Sequence, residues 1–77
     1  MGKLPRLSGR QMLRFLMQRG FTVARIRGSH HFLEKGVQRT CVPVHGNRDL
    51  KTGTLRSILR DIDLAPAAFE EAIQGMD

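Results

Sequence analysis

"GFTVARIRGSHHFLEKGVQRTCVPV" spans residues 20 to 44, and its reading decides the fold. Its first part, "FTVARIRG", is rich in β-branched and apolar residues and stops at a glycine, which predicts a strand at about Thr22 to Arg27. Gly28 and Ser29 make a turn. "HHFLEK" is a second strand closed by Gly36, and about Gln38 to Val44 form a third. Two short links between three consecutive strands predict an antiparallel meander. Pro43 has no N–H for a ladder, so the third strand belongs at a sheet edge around that residue.

Helical patterns flank this stretch. Ser8 is an N-cap residue, and Gln11 three positions later completes a capping-box spacing. Leu13, Leu16 and Met17, widened by Met12 and Phe15, then form an apolar stripe, and Gly20 is a natural stop. The first helix is predicted at about Gly9 to Arg19. After the loop "HGNRDLKTG", a second helix is predicted at about Thr54 to Ile62, with Leu55, Ile58, Leu59 and Ile62 at i, i+3, i+4 and i+7. A short third helix starts at Pro66 and carries Phe69, Ala72 and Ile73. The order α-β-β-β-α-α predicts an α+β fold, with helices on one face of a three-stranded antiparallel sheet. The other face is then open, or covered by a partner. Residues 1–77 read as one domain, with 1–7 a flexible basic lead-in broken by Pro5.

Length and composition narrow the function classes. A chain of 77 residues buries only about 60% of its unfolded surface, so its core is thin. A single cysteine, Cys41, excludes an intrachain disulfide and fits a reducing compartment. No apolar run approaches the roughly 20 residues of a membrane span, and the basic N-terminus lacks a signal-peptide core. The expectation is a cytoplasmic protein without a membrane partner. All 13 basic residues lie between Lys3 and Arg60, where Glu34 and Asp49 are the only acids. The last 17 residues carry five acids and no base. A body this basic attracts polyanions: nucleic acid or an acidic protein.

The candidate chemistry sits in "RIRGSHHFLE", residues 25 to 34. His30 and His31 are adjacent on a strand, so they point to opposite faces and cannot easily share a metal ion. Neither makes a recognised zinc spacing with Cys41 or His45, so no metal is expected. Ser29 and Cys41 lack any oxyanion motif that would make a hydrolase nucleophile of them. RNA cleavage needs fewer parts: a base for the ribose 2′-OH, cations for the phosphorane, and an acid for the leaving oxygen. The RNA brings the nucleophile, and an unperturbed histidine titrates at about pH 6.5. His30 follows the Gly-Ser turn and lies close to Arg25 and Arg27. A solvated strand histidine that touches only phosphate, or nothing, is the competing reading.

Alternation groups His30 with Phe32 and Glu34, and His31 with Leu33 and Lys35. Each set holds one large apolar residue, so the pattern leaves open which face is buried. Lys51 stands at the start of the second helix, where a cation opposes the helix dipole unless a bound anion reverses the sign. With no Tyr or Trp and only four Phe, base stacking in the manner of RNA-recognition motifs is poorly supplied.

Taken in order, Gly20-Phe21, Arg25, Arg27, Gly28-Ser29-His30, "VPVHG", "LKTGTLRSILRD" and Phe69 resemble HicA, the toxin of HicAB toxin-antitoxin modules. The resemblance covers residues 8 to 70. It implies a fold like the double-stranded-RNA-binding domain. It also implies an mRNA interferase that cuts RNA without a metal or other cofactor and is held inactive by the antitoxin HicB. In the family the histidine after the Gly-Ser or Gly-Gly turn is catalytic, which by position is His30. Lys51-Thr52-Gly53-Thr54 is close to the family's lysine, glycine, threonine pattern. Arg25, Arg27, Gly28, Ser29, Lys51 and Arg56 are the expected RNA-binding residues. The alternatives are a non-catalytic RNA-binding module of the same fold, or a basic protein-interaction domain.

Overall fold

The computed structural model describes residues 4–75, in the order α1 (Gly9–Gln18), β1 (Thr22–Arg27), β2 (His30–Lys35), β3 (Gln38–Pro43), α2 (Thr52–Asp61) and α3 (Pro66–Gln74). This is the expected α+β order. The strands form one antiparallel sheet, β1-β2-β3, so β3 with its Pro43 is an edge.

Local chemistry sets the boundaries. At the start of α1 the Ser8 hydroxyl accepts from the Gln11 N–H at 3.2 Å, and the Ser8 N–H donates to Gln11 Oε1 at 2.8 Å. Such a cap contributes about 1 kcal/mol. At the other end the Gly20 N–H donates to the Met17 carbonyl and the Phe21 N–H to that of Leu16. Gly20 takes the left-handed backbone (φ +98°) that this Schellman ending requires. Met12, Phe15 and Leu16 are buried, but Met17 is 55% exposed. It stands one step round the helix from the inward stripe, so it drops out of the expected core. The second helix starts at Thr52 rather than Thr54, because the Leu55 N–H already donates to the Lys51 carbonyl.

The core lies between the helices and one face of the sheet. Leu55, Ile58, Leu59 and Ile62 of the α2 stripe are buried with Leu33, Val42 and Phe69, and Phe15 meets Phe69 edge-on. Thr40 donates to Asp61 Oδ2 at 2.9 Å, and the Gln38 side chain donates to the Ile62 carbonyl at 3.0 Å. These bonds tie the end of α2 to the start of β3. The end of the lead-in is also anchored: Leu7 is buried, Leu4 packs against the core, and the Leu7 carbonyl accepts from the Leu50 N–H. Residues 1–3 of that segment lie outside the described residues. The helices pack chiefly on β3, and every residue of β1 is exposed.

The two long helices run the same way across the sheet. A Cβ added to Gly9, at the start of α1, would collide with the Pro43 carbonyl oxygen, whereas the far end of α1 accepts from Lys35 Nζ through the Arg19 carbonyl. Lys51, which caps α2, shares a recess with Pro43, and α2 finishes at Gln38. Pro43 pairs with His30. Both helix N-termini, the positive ends of their dipoles, thus lie at the His30 end of the sheet.

Candidate functional site

Burial of Leu33, 1% exposed, turns its parity set toward the helices and leaves the other set on the open face. His30, Phe32 and Glu34 therefore share the open face with Arg27, Arg25 and Thr22 across β1, and with Pro43, Cys41 and Arg39 across β3. The His30 side is exposed, and its Nδ1 lies 3.5 Å from Cys41 Sγ. The Arg25 guanidinium sits over the Phe32 ring, 4.8 Å from its centroid. Partial burial, and after it the Asp61 carboxylate, push the Cys41 thiol up from its ordinary value, so it is a neutral thiol at pH 7. The structure thus brings four expected residues, Arg25, Arg27, Gly28 and Ser29, around His30.

His31 points the other way and is half-buried, with Nδ1 3.4 Å from the Ser29 carbonyl oxygen. A carbonyl only accepts, so the proton of this contact is on the His31 nitrogen. The same carbonyl accepts from the Val44 N–H at 2.7 Å. The turn that carries His30 is therefore held to the end of β3. Gly28 meets nothing that a Cβ would strike, but its φ of +58° is the left-handed backbone of the first hairpin position.

Lys51 and Arg56 form a separate basic group. Lys51 lines a recess of about 240 Å³ with Pro43, His45, Arg48, Asp49 and Thr54, among others. It also lines one of about 470 Å³ with Arg6, Asp49 and Arg56, among others. The first recess touches the His30 end of the sheet through Pro43, while Arg56 borders only the second. Arg48 and His45 were not expected as binding residues. Their signal is present in the turn "HGNRD", but it acquires meaning only when the chain folds that turn back beside Pro43. Among the described residues no three His, Cys, Asp or Glu side chains come together as a metal site, and no helix is long and apolar enough to cross a membrane.

Comparison with known proteins gives one finding. A family model described as the HicA toxin of bacterial toxin-antitoxin matches residues 9–64, more than two thirds of the chain. No curated protein matches at a significant level.

Proposed function

The chain belongs to the HicA family, toxins of bacterial toxin-antitoxin systems, and from that premise we propose that it is an endoribonuclease that cuts mRNA with His30. The observation that carries this reading is the exposed His30 side chain on the open face, between Arg27 and Cys41, at the end where two helix N-termini meet.

The chemistry follows from the RNA's own nucleophile. His30 Nε2 takes the proton of a ribose 2′-OH, and the freed O2′ attacks the adjacent phosphorus. The P–O5′ bond breaks, leaving a 2′,3′-cyclic phosphate, and O5′ takes its proton from the imidazolium or from water. A base must offer a lone pair, so Nδ1 has to carry the ring proton. The Cys41 sulfur, a weak acceptor, suits that tautomer by receiving the Nδ1–H. Arg25 and Arg27 stabilise the phosphorane charge, with Gly28 and Ser29 beside it. Lys51 and Arg56 hold phosphates further along the strand. No metal cofactor enters these steps.

A HicB-type antitoxin would inhibit most simply by covering the His30 face. A toxin-antitoxin complex with His30 still open to solvent defeats that part of the reading.

The test is cleavage of a long RNA by the purified chain and by His30→Ala, with growth arrest on induction as the cellular readout. Cleavage and arrest by wild type, and neither by the variant, is the expected result. If the variant still cuts, His30 is not the catalyst. If both bind RNA and neither cuts, the chain is an RNA-binding module.

A further inference from the structure

The open face carries a second feature. A recess of about 380 Å³ lies there, lined by Ala24, Arg25, Phe32, Glu34 and Arg39, among others. Three of the four phenylalanines, Phe15, Phe21 and Phe69, are in the core. Phe32 is half-exposed on the sheet and carries the Arg25 guanidinium over its ring. It stands two residues from His30 on the same face, roughly 7 Å along the strand. The pairing of β1 with β2 shifts register between Val23 and Arg25, which leaves Ala24 as an extra residue at the recess. Such bulges re-aim neighbouring side chains, and alanine leaves the recess room.

Glu34 is the informative residue. It is one of only two acids between Lys3 and Arg60, and it faces the surface that would meet RNA phosphate. A carboxylate there repels the backbone, so it needs a compensating partner. It stands directly across from Arg39, yet no contact within ion-pair distance joins them among the described residues. A carboxylate is an acceptor that reads the amino groups of bases, and an arginine plane is a surface on which bases stack.

We propose that this recess is a nucleobase site. The base beside the scissile phosphate stacks on the Arg25–Phe32 platform and donates its exocyclic amino group to Glu34. Glu34 is then a specificity-determining residue that favours adenine, cytosine or guanine over uracil at that position. This rests on the RNA-cleavage reading above and adds a base preference to it.

Two measurements on the full chain test it. The first maps cleavage sites on a randomised RNA and compares wild type with Glu34→Gln, whose amide can also donate to uracil. The readout is the ratio of cuts beside amino-bearing bases to cuts beside uracil. Wild type should favour the former by about 5-fold or more, the lower end of what one good base contact supplies, and Glu34→Gln should bring the ratio close to one. A wild-type ratio near one, or a ratio unchanged in Glu34→Gln, overturns the proposal. The second follows backbone amide NMR shifts in His30→Ala as CMP or UMP is added. Larger shifts at Phe32 and Glu34 with CMP support the site. Equal shifts with both, confined to the arginines, mean phosphate binding alone and overturn it. If wild type cuts no RNA but CMP still selects Phe32 and Glu34, the base site stands and the catalytic reading falls.

Discussion

His30 and Leu33 lie three residues apart on one strand and face opposite ways. Leu33 is sealed against the helices with Val42 and the α2 stripe, while His30 is exposed among arginines. The packed face is fastened by apolar contact and by hydrogen bonds such as Thr40 to Asp61. The open face has its charges at the surface, with contacts such as His30 to Cys41 and Arg25 to Phe32. A six-residue strand therefore serves as a wall of the core and as the platform of the proposed site, because its side chains alternate with a period of two. A slip of one residue would exchange the two roles.

The sharpest way to break this division is at His30. His30→Ala should lower RNA cleavage by about 10²- to 10⁴-fold, the usual worth of a general base. Its thermal midpoint should stay close to wild type, and a collapse seen by circular dichroism would mean that the open face is structural after all. The converse change is Leu33→Ala. It should cost about 2–5 kcal/mol through the cavity it leaves. For a chain of this size each kcal/mol lowers the midpoint by about 4–8 °C. Cleavage per folded molecule should survive, as activity normalised to folded fraction would reveal.

Arg27→Ala tests the electrostatic half of the open face. If Arg27 contacts one phosphate, the slope of log affinity against log salt should shrink by about 0.7 for single-stranded RNA. An unchanged slope removes Arg27 from the interface. His31→Ala sharpens the comparison within the histidine pair. Loss of its bond to the Ser29 carbonyl should cost about 1 kcal/mol, seen in denaturant unfolding, with far less effect on cleavage than His30→Ala. The smallest effect concerns Cys41. Because its folded-state pKa is raised, less thiolate is present near pH 8 in the folded chain than in the unfolded one. Iodoacetamide should therefore label the folded chain more slowly, and equal rates would put Cys41 outside the protected edge of the site.

Much of this was legible in the chain. The capping box at Ser8, the glycine turns and the α2 stripe are local signals, and each appears where the pattern puts it. The departures are equally physical. Met17 belongs to an apolar run but stands outside the inward stripe, and Leu7 is a core residue that no periodic pattern marks. The cationic members of the proposed RNA-binding set, Arg25, Arg27, Lys51 and Arg56, were readable as basic residues. Its division into a group around His30 and a second group around Lys51 was not, because that depends on where distant loops return.

Sequence alone determined the element order and the parity that separates His30 from His31. Both follow from short-range stereochemistry: turn residues, caps and the alternation of a strand. Tertiary structure alone decided which parity set is open. Phe32 and Leu33 are comparable apolar residues on opposite faces of β2, so hydrophobicity does not choose between them. The choice came from where α1 and α2 pack, which buries Leu33 beside Val42 and leaves Phe32, with Arg25 above it, on the surface that carries His30.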